Sequence, residues 1–484
     1  MKVELLQEPE LQFGAGRHLD VRFGLWHYGP LDFENALAPK QIKVGIAGTP
    51  QTIEGLLSWF ERSARGFPAK PSKQPNLFPA FPGIGPDLSF CCSLILDTQL
   101  QRQIHQGVLD RLAKRTKGNA LVEEAVSIFL SEFRYLAENA NPDVLVCALP
   151  LSLLEAMQSS GRSDDSDGTN AADGPRSRLN FHHLLKAEAM GLRKPVQIIL
   201  PTTYDTTIKR RQKTRPGRAK EIQDQATIAW NLYTALYYKA GGVPWKLIRD
   251  DSQLTACFVG ISFYNTLDLS QVMTSIAQVF NQRGEGVVVR GGAAKVSKED
   301  RQPHLTREDA RKLLNQALER YREVHRNFPA RVVLHKSSSY SHEEVEGFLE
   351  AAAQNRIDHY DLVSLGDCNS RLFRCGEYPP LRGTLLHMDQ RTLALYTRGS
   401  VDFFETYPGQ YVPLPLLVRC EETVETPRAL AQEILGLSKM NWNNTQFDGR
   451  EPITLHAARQ VGSILKYIPE GQDYRIEPRF SFFM

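Results

Sequence analysis

QIKVGIAGTPQTIEGLLSWFERSARG, residues 41–66, joins two patterns at Gly48, Thr49 and Pro50. QIKVGIAGTP is an apolar run of strand length that closes on Gly and Pro, and TIEGLLSWFERSARG repeats its apolar residues at helical spacing, so the pair reads as strand then helix. The alternation recurs. A long helical stretch from about Gln101 to Glu138 precedes the strand-like DVLVCALP (143–150), and PVQIILPTT (195–203) is a further strand. Strands alternating with helices predict a parallel, Rossmann-like sheet for the first half of the chain. Residues of about 159–178, SSGRSDDSDGTNAADGPRSR, contain nothing able to build a core and are expected to be a disordered insertion.

A second block begins near Asp250. LTACFVGISFYNT (254–266) is a strand, SIAQVFNQRGEGVVVRGG (275–292) a hairpin, REDARKLLNQALERYREV (307–324) an amphipathic helix, and RVVLHKSS (331–338) an apolar strand whose end turns polar. A helix from Glu343, strands at 361–366 and 392–398, and helices from Pro427 to Leu437 and Pro452 to Leu465 follow. Strands first, then a helix, a strand and further helices fit an RNase H-like α/β layer.

The most informative segment for function is KRRQKTRPGRAKEIQDQATIAWNLYTALYYKAGGVPW (209–245). Its first twelve residues hold seven Lys or Arg and no acid, and they run into an amphipathic helix ending at Lys239-Ala240-Gly241-Gly242. Mobile cations beside a helix start suit a phosphate, because the first-turn N–H groups add directed donors. A solvated basic loop is the plain alternative. Asn231 lies eight residues before Lys239, about two turns away on one helix face.

At 484 residues the chain is long enough for about two to four domains. A net charge of +3, with 42% hydrophobic and 23% charged residues, makes any strong positive potential a local feature. No run of about eighteen apolar residues occurs, and MKVELLQEPELQF lacks a signal-peptide plan, so a cytoplasmic protein without a membrane span is expected. The seven cysteines are scattered without a CxxC pair, which favours reduced thiols over disulfides or a zinc site.

The sequence resembles a short prokaryotic Argonaute, the form with only MID and PIWI domains. The residues that carry the resemblance are ATIAWNLYTALYYKAGGVPW (226–245), FVGISFY (258–264), RGEGVVVRGG (283–292), VLHK (333–336) and NWNNTQFDGREPITLHAARQVGSIL (441–465), in the family's order. The resemblance implies a Rossmann-like MID domain over 41–249, an RNase H-like PIWI domain over 250–484, and a segment 1–40 packing on PIWI. GLWHYGPL (24–31) is similar to the family's N-terminal segment.

By the resemblance, a guide 5′ phosphate would be held by Lys239, by Lys209 or Lys213, by Tyr204 stacking on the first base, and by Gln223 or Gln225 as amide donor, with Asn231 nearby. Arg210 and Arg211 would add backbone attraction, and His335 and Lys336 at a strand end would touch nucleic-acid backbone. The carboxylate of Met484 would approach the guide phosphate and help ligate Mg2+. A phosphate with nearly two charges needs several charge-assisted donors in one pocket.

An RNase H-like nuclease needs carboxylates to hold two divalent ions. The family pattern puts them at Ser262, Ser337 and Arg459, none of which can replace Asp or Glu. Glu285 reads as a hairpin-tip residue. The expectation is a catalytically inactive chain that binds a small guide, RNA by the resemblance, and pairs it with single-stranded target DNA. Chains of this kind act with a separately encoded APAZ-bearing effector, a sirtuin-like or TIR NAD-consuming domain or a nuclease, in abortive defence against plasmids or phages. An active endonuclease of the same fold, a nonspecific nucleic-acid scaffold and a Rossmann-type nucleotide enzyme are the alternatives. The last would need a GxGxxG that Gly45 to Pro50 does not complete, so no NAD is expected on this chain.

Overall fold

The structure, a computed structural model, describes residues 1–159, 178–205, 223–248, 254–280, 286–373, 379–407, 409, 412–447 and 449–484. Two compact units emerge: Leu25–Pro244 with Asn443–Thr445, and Met1–Gly24 with Trp245–Trp442 and Gln446–Met484. Residues 25–40 therefore group with the first unit, whereas 1–24 group with the second.

The first unit is built on a parallel sheet in the order Ser93–Ile95, Gln41–Gly48, Val144–Ala148, Val196–Ile199, with Gln101–Gln103 also pairing to Gln41–Gly48. All five residues of Val144–Ala148 are buried, as expected for a parallel strand covered on both faces. The quoted strand–helix junction forms through chemistry visible in its sequence. Thr49 caps helix Pro50–Ala64 in a reciprocal capping box with Thr52, and Pro50 occupies the first turn, where its missing N–H costs nothing.

The single helix expected over 101–138 is instead the strand Gln101–Gln103 and two helices, Gln106–Arg115 and Gly118–Asn139. Thr116 and Lys117 are both extended, which breaks the helical hydrogen bonding between them. A second difference concerns helix Gln225–Lys239, read above as amphipathic. Eleven of its fifteen residues are buried. Trp230, Tyr233 and Tyr237 interleave with Phe81, Phe90 and Trp59, Phe81 stacking on Tyr233 at 5.2 Å, and each such fully buried ring contributes about 2 kcal/mol.

The second unit holds a ten-stranded mixed sheet. Its RNase H-like centre is the strand Ala256–Asn265, antiparallel to Val272–Phe280 and parallel to Arg331–Lys336, which in turn runs parallel to His359–Asp367. The hairpin expected over 275–292 is Val272–Phe280 with Gly286–Val296. Helix Arg307–His325 starts at Thr306, which caps it through Asp309, and helix Pro427–Leu437 has the bounds that its Thr426-Pro427 start predicts. Helix Ile453–Leu465 lies so close to the central strand that a Cβ on Gly260 would stand 2.1 Å from the Thr454 carbonyl oxygen. Ser275 Oγ donates to the Ala458 carbonyl at 2.8 Å and fixes the helix along the sheet.

The first residues are tied to this unit by pairing and by charge. Lys2–Leu5 adds an antiparallel edge strand to Thr384–His387, and the partly buried Glu8 carboxylate meets Arg382 and Lys439 at 3.0 Å each. No described helix is long and apolar enough to cross a membrane.

Candidate nucleic-acid interface

In the first unit, helix Gln225–Lys239 ends in a turn that leaves Lys239 inside the protein. Gly241 adopts φ +96°, a conformation that L side chains rarely take, and donates its N–H to the Tyr238 carbonyl at 3.0 Å. Lys239 is thereby held in the last buried turn, 5% exposed. Its Nζ donates to Gln197 Oε1 at 2.9 Å, while Gln197 Nε2 donates to the Ile198 carbonyl at 3.1 Å and so fixes which way the amide faces. Gln197 comes from the sheet strand Val196–Ile199.

A second buried ammonium stands near. Lys186, on helix Phe181–Ala189, is 3% exposed. Burial depresses the Lys186 ammonium far below its usual range, and the charge of Lys239 depresses it further. Burial alone brings Lys239 down to about 7. Two amines withdrawn from water thus stand near one another, with the neutral Gln197 amide on Lys239.

Other expected members are placed differently. Tyr204 ends the one-turn helix Pro201–Tyr204, which follows the Gln197 strand. Its ring lies against Gly55, where a Cβ would stand 2.9 Å from it, and its buried hydroxyl makes no hydrogen bond among the described residues. Gln225 Oε1 accepts from Trp59 Nε1 at 2.6 Å, which ties its amide oxygen to the aromatic cluster. Gln223 is exposed. Asn231 is corrected: its Oδ1 accepts from Thr445 N at 2.8 Å and Thr445 Oγ1 at 2.9 Å, and it fastens the 443–445 segment. Lys209, Arg210, Arg211 and Lys213 lie outside the described residues, as do the insertion over 160–177 and Glu285.

Lys186 and Gln197 were not read from the sequence. One signal was available: Lys186 lies three and four residues before the buried Ala189 and Met190, so it puts a charge in an apolar helical stripe. Gln197 carried none, because its meeting with Lys239 is purely tertiary.

In the second unit, the three positions where carboxylates would stand do come together. Ser262 Oγ and Ser337 Oγ are 3.5 Å apart, and Ser337 and Arg459 line one cleft of about 320 Å³. Ser338, Ser339, Ser364 and Arg419 also line it. The strand register runs Ile261, Lys336, Ser364, Arg419 across four neighbouring strands, which carries the cleft from the central strand to Leu416–Thr423. Arg459 Nη2 meets Glu451 at 3.1 Å, and Asp367 on the rim pairs with Arg450.

His335 and Lys336 do not face solvent, and the backbone contact expected of them is corrected. His335 is 1% exposed, its Nδ1 is 2.9 Å from Thr454 Oγ1, and burial, then the charge of Arg331, pushes its imidazole down to about 3. Lys336 is fully buried and spends its charge on Glu344 at 2.8 Å. Its Nζ also donates to the Ser339 carbonyl at 2.5 Å, so it braces the serine loop from beneath. Met484 is buried with Phe480, Phe482 and Phe483 at the chain's end.

The Mg2+ expected beside the guide phosphate requires oxygen ligands. The described groups about Lys239 are the Lys186 amine, the His182 imidazole and the Gln197 amide oxygen, none of them a carboxylate. Among the described residues no group of three His, Cys, Asp or Glu side chains could hold a metal ion.

A Rossmann-like unit and an RNase H-like unit in one chain define a two-unit α/β architecture, and solved structures narrow it. The chain is similar to Clostridium butyricum Argonaute bound to a guide DNA and a 19-mer target DNA, with 15% identity, TM-score 0.63, and coverage of 97% of this chain and 53% of that one. It is similar to Drosophila Piwi, with 12% identity, TM-score 0.56, and coverage of 99% and 56%. Marinitoga piezophila Argonaute in complex with a 5′ OH guide RNA gives 12% identity, TM-score 0.54, and coverage of 100% and 59%. The chain thus has an Argonaute-like MID–PIWI fold and spans somewhat over half the length of these structures. No protein-family model matches it, and no curated protein matches it by sequence.

Proposed function

We propose that this chain is a guide-binding Argonaute-type subunit that grips the 5′ phosphate of a small RNA at Lys239 and Lys186, pairs that guide with single-stranded DNA, and does not cut it. The observation that carries the reading is the buried Lys239 ammonium, brought down to about 7 by burial and held by the neutral Gln197. A phosphate restores the charge partner that burial removed. Base pairing would read sequence while the protein grips an end and a backbone. Target pairing would then activate a separately encoded APAZ-bearing effector, NAD-consuming or nucleolytic, in abortive defence.

Support for the inactive reading comes from Ser262, Ser337 and Arg459 in one neighbourhood, a set that cannot hold the two divalent ions such hydrolysis uses. A second reading is guide binding through a 5′ hydroxyl, which the 5′ OH guide RNA of the Marinitoga piezophila structure suggests. The buried cations favour the phosphate. Guide-loaded protein incubated with complementary DNA and Mg2+ or Mn2+ tests the absence of cutting: the DNA should stay intact, and guide-dependent cleavage at one position would overturn the inactive reading.

A further inference from the structure

We propose that a cavity between the turn joining strands Ala256–Asn265 and Val272–Phe280 and the residues after helix Ile453–Leu465 docks a partner protein, by seating one aromatic side chain flanked by lysines or arginines. The inference goes beyond guide binding, and its test needs no guide. The cavity holds about 290 Å³. Its apolar lining comes from Tyr264, Met273, Leu465, Ile468 and Pro469, which gives one large side chain both room and a surface to bury. Two exposed apolar residues stand at its edge. Leu269, 49% exposed, lies between the lining residues Asp268 and Ser270. Tyr474, 84% exposed, follows Asp473, whose carboxylate meets Arg290 Nη1 at 3.0 Å. An apolar recess with apolar neighbours and a polar rim is the form an anchor pocket takes.

Both walls are fixed before anything binds. On the strand side, Asp268 Oδ1 accepts from Thr266 Oγ1 at 2.6 Å and Ser270 N at 3.1 Å, while Oδ2 accepts from Ser270 Oγ at 2.8 Å. That turn holds Leu269 at φ +59°, which L side chains rarely adopt, and leaves its side chain exposed. On the helix side, Arg290 Nη2 donates to the Leu465 carbonyl at 2.9 Å and the Ile468 carbonyl at 2.7 Å, and Nη1 to the Pro469 carbonyl at 3.2 Å. The chain after the helix is thereby tied to the sheet, so an entering side chain meets little ordering cost.

Charge selects the occupant. Arg290 is nine-tenths buried and spends its charge on those carbonyls and on Asp473. The other charged residues of the lining are Asp268 and Glu470, both exposed, against Lys466, so the rim carries two acids to one base. Arg475, on the same turn as Asp473, donates to Gln472 Oε1 at 2.9 Å and does not line the cavity. Hydrogen bonds from Thr266 and then Ser270 hold the Asp268 carboxyl down to about 2, which keeps it ionised at neutral pH. Such a rim disfavours a nucleic-acid phosphate and favours a lysine or arginine beside the anchor.

The test is binding of synthetic peptides by the full chain, followed by saturation-transfer NMR. The probes are acetyl-Gly-Arg-Trp-Arg-Gly-amide, a twin with Glu in place of each Arg, and a twin with Ala in place of Trp. The first should bind with a Kd of about 1 mM or tighter, and each twin at least about tenfold more weakly. Glu470→Lys should weaken the basic peptide about threefold and strengthen the acidic twin by a similar factor, a crossover that a folding defect does not produce. Gln271→Trp fills the cavity from an exposed position and should abolish binding of the basic peptide with the melting temperature unchanged. No binding of the basic peptide, equal affinity for the three peptides, no crossover in Glu470→Lys, or binding indifferent to Gln271→Trp would each overturn the site. A single-stranded oligonucleotide that displaces the basic peptide from wild type and loses affinity in Gln271→Trp would assign the cavity to nucleic acid and overturn protein docking.

Discussion

Lys239 Nζ donates to Gln197 Oε1 at 2.9 Å, which joins the last turn of a buried helix to a sheet strand through a charge that has no solvent. The helix terminus brings the charge in, the strand gives it a neutral partner, and Lys186 sets a second charge against it. An ordinary surface lysine at a helix end would pair with water and the terminal carbonyls. This one is held as though a ligand were to finish the arrangement.

The first prediction concerns pH. Burial lowers Lys239 to about 7 from an ordinary 10.5, so the free folded protein gives up that proton while the unfolded chain keeps it. Between those two values the unfolded state binds more protons, and stability should rise with pH across the window. Phosphate binding acts in reverse, because it restores the proton. Affinity for a 5′-phosphorylated guide should therefore fall by up to about tenfold per pH unit above 7. The 5′-hydroxyl guide should show a flat profile, measured by anisotropy between pH 6.5 and 9.

Lys186→Met removes the second buried amine, whose charged form burial and Lys239 disfavour, while keeping the length of the side chain. Free protein should be as stable as wild type or more so, because the repulsion with Lys239 is gone. Binding of the 5′-phosphorylated guide should weaken, with charge-assisted bonds to a phosphate contributing about 1.5–3 kcal/mol each. Melting temperature and guide affinity should move in opposite directions. A matched loss of both would assign Lys186 to packing alone.

Lys336→Met should cost about 3 kcal/mol, because Glu344 would remain buried without its cation. The figure is at the low end for a broken buried pair, since Leu305 N and Ser341 N still donate to the Glu344 carboxylate. Urea denaturation measures it. Replacing Glu344 by Gln in the same chain should recover part of the loss, because the uncompensated charge is then gone.

Gly260→Ala drives a methyl group to within 2.1 Å of the Thr454 carbonyl oxygen, and backbone must move to admit it. A cost of about 3 kcal/mol or more is expected, at or above the upper end for overpacking. The moving element is helix Ile453–Leu465, which carries Arg459. Calorimetry measures the cost.

What the chain reveals before folding follows from how local each signal is. The strand–helix alternation of 41–66 and the start of helix Pro427–Leu437 are local, since capping and periodicity act within a few residues. The break at Thr116 and Lys117 falls in the polar run Lys114 to Asn119, which interrupts the apolar spacing without a proline to mark where the first helix ends. Helix Gln225–Lys239 looked amphipathic because Tyr and Thr count as polar in a pattern, yet a ring of aromatics buries them. At the candidate site, Lys239 stood out by its Ala-Gly-Gly context. Gln197 and Lys186 reach it from a distant strand and helix, and no spacing carries that information. The amide oxygens of Asn231 and Gln225 accept from Thr445 and Trp59, distant partners that no spacing reveals.

The central claim is that the buried lysines hold a guide's terminal phosphate. The direct measurement is the ratio of Kd for one guide RNA carrying a 5′ hydroxyl to the same RNA carrying a 5′ phosphate, in wild type and in Lys239→Ala. The account predicts a ratio of at least tenfold in wild type, in line with the energy of a charge-assisted bond, and close to one in the variant. A wild-type ratio near one, or equal weakening of both guides by Lys239→Ala, would contradict it.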